Sequence, residues 1–205
     1  MKIAIIGSGN VGSALGKGWL NAGHEVVFGV RDPQSPKTQK VLALIPEAKL
    51  NTVADASINA VVIVITTPPE AVLDLIPQLG NVSNKVIIDT TNSIRTKPAP
   101  YATAYDAIKE ISKAQDLVKC FNSTGFENML NPNYHGEGID MFAAGNSKKA
   151  KQVAGQLAKD IGFATCYDFG GDDKVELLEK FALSWINMAI MQRHGRNLAF
   201  KLVRR

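Results

Sequence analysis

A glycine pattern near the N-terminus constrains the fold more than any other feature of the chain. The motif GSGNVG at residues 7–12 follows the apolar run Lys2–Ile6, and it opens Asn10–Ala22, where apolar residues recur every three or four positions. This strand–loop–helix context is typical of a dinucleotide-binding unit. In order, the three glycines supply a tight turn, room for a pyrophosphate and close helix–sheet contact. Free N–H groups at the start of such a helix favour an anion.

Strand-like and helix-like segments alternate along the rest of the chain. The predicted strands are Lys2–Ile6, Glu25–Val30, Ala60–Thr66, Lys85–Asp89, Leu117–Phe121, Ile139–Ala144 and Phe163–Phe169. The predicted helices are Asn10–Ala22, Thr38–Ile45, Asn51–Asn59, Glu70–Gln78, Tyr105–Ser112, Lys148–Lys159 and Lys174–Gln192. The β-branched run AVVIVIT at residues 60–66 is expected of a strand buried on both faces of a parallel sheet. We therefore predict an α/β fold with a doubly wound, mostly parallel Rossmann-type sheet and a short helical C-terminal extension.

The end of the second predicted strand indicates which dinucleotide is bound. NAD-binding proteins usually carry an acidic residue there, about 20 residues after the glycine loop, to hold the ribose 2′-hydroxyl. Here the position is Val30, followed by Arg31, whose guanidinium can pair with a 2′-phosphate. The pattern favours NADP, with Ser8, Ser35 and Lys37 as further contacts. Asp32 weakens this preference if its side chain turns inward.

Small neutral polar residues follow three other predicted strands. They occupy residues 66–68, 90–93 and 122–125. Because doubly wound folds bind ligands outside the carboxyl ends of their strands, these residues are candidates for holding a ribose and the nicotinamide. Alternatively, they are ordinary loop and helix-cap residues. The candidates from the glycine loop and the strand ends are Gly7, Ser8, Gly9, Asn10, Val11, Gly12, Val30, Arg31, Ser35, Thr66, Thr67, Pro68, Thr90, Asn92, Asn122 and Ser123.

Several function classes receive no support from the sequence. The chain has 205 residues and a net charge of +4, but its basic residues are scattered, so nucleic-acid binding is not predicted. The longest apolar run, 60–65, is too short to cross a membrane. No metal-ligand spacing or acid–base motif is present, and we name no catalytic residue. Cys120 and Cys166 form no C-x-x-C and are expected to be buried, inert thiols in a reducing cytoplasm.

The C-terminal 35 residues differ in character from the preceding part. Residues 174–192 have no strand signal, and their apolar residues cover more than one helical stripe. Such a helix is usually buried on several sides. We predict that it packs against a second subunit in a homodimer; the alternative is a core helix wedged under loops. We accordingly divide the chain into an NADP-binding domain, residues 1–170, and a segment for dimerisation and site closure, residues 171–205.

Four segments carry a resemblance to a known family. IAIIGSGNVGSALGKGWLNAGHEVVFGVRDP, VVIVITTPPEAV, VKCFNSTGFENM and DFGGDDKVELLEKFALSWINMAI resemble the NADP-dependent deazaflavin (coenzyme F-420) oxidoreductases. The cytosolic reductase domain of STEAP-type metalloreductases is a more distant relative. The resemblance implies an NADPH-binding Rossmann domain, often dimeric. It implies that residues 8–11 hold the pyrophosphate, Val30 and Arg31 the 2′-phosphate, Thr67 and Pro68 the riboses, and Asn122 and Ser123 the nicotinamide.

The chain also departs from the family pattern. Relatives often read D-A-G-P-L before the last helix, with an arginine further on, whereas here residues 168–172 read DFGGD and Glu176 stands at the arginine position. The resemblance places this stretch on the acceptor side, so it leaves the acceptor open. We predict hydride transfer between NADP(H) and a deazaflavin, a flavin or another small redox-active acceptor. The alternative functions are an NADPH sensor or a non-catalytic reductase component, and a hydroxyacid-type dehydrogenase is disfavoured by the short C-terminal segment.

Overall fold

The fold is built on one eight-stranded sheet. The computed structural model describes residues 1–205, except for the side chain of Lys37. The strand order is β10-β9-β6-β5-β4-β1-β2-β3, with a separate hairpin formed by β7 and β8. The strands are β1 (Lys2–Ile6), β2 (Glu25–Val30), β3 (Lys49–Thr52), β4 (Val62–Ile65), β5 (Val86–Asp89), β6 (Asp116–Lys119), β7 (Asn133–Tyr134), β8 (Glu137–Gly138), β9 (Met141–Ala144) and β10 (Cys166–Gly170).

Helices cover both faces of this sheet. They are α1 (Asn10–Asn21), α2 (Pro36–Leu44), α3 (Val53–Ile58), α4 (Val72–Leu75), α5 (Ala104–Ser112), α6 (Phe126–Leu130), α7 (Lys148–Asp160) and α8 (Val175–Ile186). One core packs α1 and α7 against the sheet, and the other packs α3, α4, α5 and α8 against the opposite face. The architecture is therefore the predicted Rossmann-type fold.

The central strands are buried because both faces are covered. In β4, Val62 and Val64 belong to one core while Ile63 and Ile65 belong to the other. Side chains alternate between the two faces of a strand, so a strand sandwiched between helix layers must be apolar at every position. The β-branched run predicted as a buried strand has this arrangement.

The last two sheet strands run against the others. Strand β9 pairs antiparallel with β6, and β10 pairs parallel with β9. The carboxyl end of β10 therefore lies at the edge where the other strands begin. We call the edge formed by the loops that follow β1, β2, β4, β5 and β6 the carboxyl edge. Residues that follow β10 lie at the opposite edge of the sheet.

Four local predictions were wrong or incomplete. Residues 49–52 form the edge strand β3, where the sequence predicted the start of a helix. The segment predicted as one helix over 70–78 is split into 3-10 turns around the short α4, because Pro77 has no N–H to donate. Helix α6 and the β7–β8 hairpin were not predicted.

The C-terminal segment packs back onto the body of the same chain. Helix α8 ends at Ile186, earlier than predicted, and a π-helical turn follows over Asn187–Met191. The last residues then cross α8, with Phe200 packed on Phe181 at a ring-centroid distance of 4.7 Å. Among the described residues, no helix has the length and apolarity needed to span a membrane.

Candidate functional site

The glycine loop connects β1 to the amino end of α1. Gly7 has φ of +113°, a left-handed value that favours glycine, and a Cβ there would lie 2.8 Å from the Thr66 hydroxyl oxygen. A Cβ on Gly12 would lie 2.4 Å from the Gly7 carbonyl oxygen. A Cβ on Gly9, in contrast, would meet no atom within 4 Å. The loop is therefore packed tightly beneath Gly7 and Gly12 and open above Gly9, as a pyrophosphate cradle requires.

A cavity of about 400 Å³ extends from this loop along the carboxyl edge. It brings together six of the predicted site residues: Gly7, Ser8, Val30, Arg31, Ser35 and Thr67. Arg31 is exposed at its rim and makes no ion pair with any residue that the structure describes. Its guanidinium is thus free to pair with an anionic group placed beside Val30.

Two acidic residues line this cavity, Asp32 beside Arg31 and Asp74 on α4. Asp32 is exposed, and its Oδ1 accepts a hydrogen bond of 2.9 Å from the Gln34 backbone N–H, which holds the carboxylate in the turn. Ser35 caps α2, because its hydroxyl oxygen accepts from the Thr38 backbone N–H at 3.3 Å. The side chain of Lys37 lies outside the part of the chain that the structure describes.

Two threonines after β4 have different environments. The Thr66 hydroxyl lies 3.0 Å from the carbonyl oxygens of Ile6 and Gly7 and fastens the glycine loop to β4. Thr66 is therefore a support for the loop rather than an open donor. The Thr67 hydroxyl oxygen is buried at the cavity wall and has no hydrogen-bond partner among the described residues. Pro68 is exposed next to it.

The ends of β5 and β6 are joined by paired amides. Asn92 Nδ2 donates to the Asn122 carbonyl at 2.9 Å, and Asn122 Nδ2 donates to Asn92 Oδ1 at 3.0 Å. The Asn122 Oδ1 atom is buried and makes no hydrogen bond to the described residues. Thr90 and Ser123 are buried beside them, Thr90 donating to the Ile65 carbonyl at 2.9 Å. The structure thus brings the predicted residues of this edge together and leaves one amide oxygen available.

A buried ionic cluster, not predicted from the sequence, underlies these strand ends. Lys119 Nζ lies 2.6 Å from Asp89 Oδ2 and 2.6 Å from Glu179 Oε1, and it donates to the Thr91 carbonyl at 2.8 Å. Lys119 and Asp89 have no exposed side-chain surface, and Glu179 has 5%. Glu179 Oε2 accepts from the Ser93 backbone N–H at 2.9 Å. We call Asp89, Lys119 and Glu179 the buried triad. The sequence contains one signal of this cluster: Asp89 and Lys119 are charged residues in the largely apolar runs KVIID and LVKCF.

The stretch expected on the acceptor side lies elsewhere. Asp172 accepts from the hydroxyl of Tyr105 at 2.7 Å and from Lys109 at 2.6 Å. The Tyr105 hydroxyl oxygen also lies 3.3 Å from the carbonyl oxygen of Leu117, near the start of β6. Residues 168–172 are therefore at the edge opposite the glycine loop, because β10 runs antiparallel to β6. Glu176 is exposed and pairs with Lys180 on the same helix at 3.0 Å.

The histidines and cysteines lie outside this site. His24 bonds Asp160 at 2.9 Å at the amino end of the sheet. His135 occupies the turn of the β7–β8 hairpin, and His194 follows the π-helical turn. Cys120 and Cys166 are free thiols with their sulfur atoms 4.0 Å apart, and burial raises the pKa of Cys120. Such thiols are poor nucleophiles. The described residues contain no group of three or more His, Cys, Asp or Glu placed to hold a metal ion.

The C-terminal segment closes the carboxyl edge beside Asn122. Asn122 Nδ2 lies 3.4 Å from the Leu178 carbonyl of α8, and Trp185 donates through Nε1 to the carbonyl of Leu198. Trp185 is only 4% exposed, and Arg196 lies over its ring. Trp185 is therefore covered by its own chain. This side chain offers almost no exposed surface to a second subunit, and the packing of residues 174–192 against a second copy stays a prediction that concerns the other apolar residues of the segment.

Comparison with known proteins agrees with this geometry. Residues 2–93 match the family model described as NADP oxidoreductase, coenzyme F420-dependent. The F420-dependent NADP reductase of Methanothermobacter thermautotrophicus is 28% identical over 212 residues, which cover 94% of this chain and 91% of that protein. A crystal structure of a putative F420-dependent NADP reductase from Arthrobacter sp. FB24 superposes over the full length of both chains with a TM-score of 0.87 and 25% identity.

Residues 2–93 thus carry the pattern of the F420-dependent NADP oxidoreductases, and the similarity to the Methanothermobacter reductase extends over 94% of this chain. The family model covers the glycine loop, the Val30–Arg31 pair and the ends of β4 and β5, so it spans the cavity described above. An imine reductase from Myxococcus stipitatus in complex with NADP+ shares the fold at a TM-score of 0.70 and 18% identity. The match covers 94% of this chain but only 63% of that enzyme. The Rossmann unit is thus common to both, and the longer enzyme has a further part.

Proposed function

We propose that the protein is an NADP(H)-dependent oxidoreductase that transfers a hydride between NADP(H) and a deazaflavin, with a flavin or another small redox-active molecule as the less favoured acceptor. The observation that carries this proposal is the cavity that joins the glycine loop, at Gly7 and Ser8, to the unpaired Arg31. The name of the Methanothermobacter relative supports the deazaflavin as acceptor. When bound, NADPH supplies the hydride, and the protein supplies orientation and exclusion of water.

The proposed binding mode follows the strand order. The backbone N–H groups of residues 8–11 hold the pyrophosphate at the amino end of α1. Arg31 pairs with the 2′-phosphate on the β2 side, with Ser35 beside it. The nicotinamide half extends to the other side, toward the ends of β4, β5 and β6. There the unpaired Thr67 hydroxyl and the Asn122 Oδ1 atom can bond a ribose and the nicotinamide carboxamide.

Cofactor titration tests the cofactor assignment. We expect NADPH to bind at least about tenfold more tightly than NADH, because a charge-assisted bidentate contact contributes about 1.5–3 kcal/mol. Isothermal titration calorimetry of both cofactors measures this difference. Arg31→Ala should abolish it, and Lys159→Ala is the matched control, since it removes an exposed cation from α7, outside the cavities beside the glycine loop. Equal affinities for NADPH and NADH would refute the assignment.

Turnover separates an enzyme from the alternative, an NADPH sensor or a non-catalytic reductase component. With NADPH in excess, we expect the deazaflavin to be reduced in many turnovers, and a flavin to be reduced more slowly. Tight NADPH binding without turnover of either acceptor would support the sensor instead.

We further propose that residues 171–205 act as a dimerisation and closure segment. Four apolar side chains of α8 and the following turn remain exposed: Leu177, Met188, Ile190 and Met191, at 51%, 38%, 44% and 56%. Exposed apolar side chains grouped in one segment commonly mark a protein interface, and a second copy of the same segment would cover them symmetrically. We expect the homodimer to act in the cytoplasm, which matches the free thiols.

A further inference from the structure

The buried triad joins the C-terminal helix to the strand ends that face the nicotinamide half of the cofactor. Asp89 ends β5, Lys119 ends β6, and Glu179 lies in the second turn of α8. Lys119 donates to Asp89 Oδ2 and to the Thr91 carbonyl, and its Nζ forms an ion pair with Glu179 Oε1 at 2.6 Å, so the ammonium is enclosed by its own chain. The cluster therefore has no free donor for a substrate, and it acts on the site through its charge and through the segments it holds.

The charge of the triad is unbalanced. One ammonium between two carboxylates carries a net charge of −1 when all three groups are ionised. The groups are almost completely buried, so water screens this charge poorly. Among the described residues, Asp89 and Glu179 form ion pairs with Lys119 and with no other basic side chain. The net negative charge of the triad is therefore not neutralised by a second cation.

We propose that the buried triad sets the redox balance of the bound cofactor: its net negative charge stabilises oxidised NADP+ relative to NADPH and so makes bound NADPH a stronger hydride donor. This inference rests on the proposed function. Loss of a hydride leaves a unit positive charge on the nicotinamide ring, and a fixed negative charge nearby lowers the energy of that form. Asp89 and Glu179 are positioning residues in this scheme, because both side chains are buried and would act through their charge.

The size of the effect follows from the spacing of the strands. Adjacent strands are about 4.8 Å apart, so a charge at the β5–β6 ends lies on the order of 10 Å from a group above the end of β4. At an effective dielectric constant of about 20, one unit charge at that distance changes the NADP+/NADPH affinity ratio roughly tenfold. A tenfold change corresponds to about 30 mV for a two-electron couple.

Removal of the Glu179 charge tests the proposal by equilibrium binding. In Glu179→Gln, we expect the ratio of the Kd of NADP+ to the Kd of NADPH to rise roughly tenfold. Glu179→Asp keeps the charge while disturbing the packing, and it should leave the ratio within about twofold of the wild type. Glu176→Gln, an exposed change of the same kind one turn earlier in α8, is the second control. A folded Glu179→Gln variant with an unchanged ratio would overturn the inference.

The wild-type protein provides a measurement that does not depend on the folding of a variant. The pKa of Glu179 is raised, and burial is the largest cause. The charge of Asp89 also raises this pKa, whereas Lys119 and the Ser93 N–H lower it by less. Protonation of Glu179 makes the triad neutral. The Kd ratio of NADP+ to NADPH should therefore rise as the pH falls from the alkaline side through the raised pKa of Glu179. Titration of the 2′-phosphate is common to both cofactor forms and cancels in the ratio.

The remaining titratable groups near the triad come from α5 and from the turn before α8. They are Tyr105, Asp106, Lys109 and Asp172. Burial and Asp172 raise the pKa of Tyr105, which keeps its hydroxyl neutral, and Asp172 is paired with Lys109. A ratio that stays constant over this pH range would contradict the inference alone. Failure of the wild type to bind either cofactor form would contradict the proposed function itself.

Discussion

Replacing two glycines of the same loop by valine should affect different properties: Gly12→Val should lower the stability of the protein, and Gly9→Val should lower its affinity for NADPH. In Gly12→Val the new Cβ would lie 2.4 Å from the Gly7 carbonyl oxygen and 2.7 Å from the Thr66 hydroxyl oxygen. The nearest atom belongs to the backbone, so the loop and helix must separate. Overpacking of this kind costs about 3 kcal/mol, and in a protein of this size it lowers Tm by about 6–12 °C.

In Gly9→Val the side chain meets no protein atom within 4 Å, and Gly9 already has an ordinary φ of −77°. Its Tm should fall by no more than about 2 °C, because only a modest loss of helix capping is expected. The added carbons occupy the space above the loop, and NADPH affinity should fall by at least about 100-fold.

Differential scanning fluorimetry and calorimetric titration of both variants measure the two effects. If Gly9→Val binds NADPH normally, the loop has only a structural role. If Gly12→Val is as stable as the wild type, the packing argument for the loop is incorrect.

Three further changes test other parts of the account. Arg31→Ala should lose about 10–100-fold in NADPH affinity while NADH affinity stays the same; a parallel loss for both cofactors would remove Arg31 from the phosphate site. Met191→Glu should give a monomer in analytical ultracentrifugation without lowering Tm, whereas Trp185→Glu should destabilise the chain itself; a wild type that sediments as a monomer at micromolar concentration would refute the dimer. Lys119→Met should lower the free energy of unfolding by about 3–5 kcal/mol in urea titrations, because two buried carboxylates lose their partner, and an unchanged midpoint would contradict the ionic cluster.

Much of the fold was predictable because local pattern and tertiary environment agree. Strands β1 and β2 and helix α1 begin at the predicted residues, since an apolar strand, a glycine turn and an amphipathic helix each have a distinct periodicity. Strand β3 was missed because its residues, KLNT, are largely exposed at the sheet edge and show no apolar run. Helix α6 has only five residues, too few for a periodic pattern.

The sequence predicted the loop residues of the candidate site, but it did not predict the buried triad beneath them. Small polar residues after strands have a simple sequence signature, so the residues that line the carboxyl edge could be named. The buried triad joins residues 30 to 90 positions apart, and no local rule pairs Lys119 with Asp89 and Glu179. The antiparallel direction of β9 and β10 was likewise invisible locally, and this direction moved residues 168–172 to the opposite edge.

Transfer of deuterium shows whether the protein moves a hydride from NADPH to a deazaflavin. NADPH labelled with deuterium at C4 of the nicotinamide, prepared separately as each of the two epimers, is incubated with the protein and an oxidised deazaflavin, and the product is analysed by mass spectrometry. We expect one epimer to deliver its deuterium to the reduced deazaflavin and the other to retain it in NADP+. Reduction without label from either epimer, or no reduction while NADPH is bound, would contradict the proposed transfer.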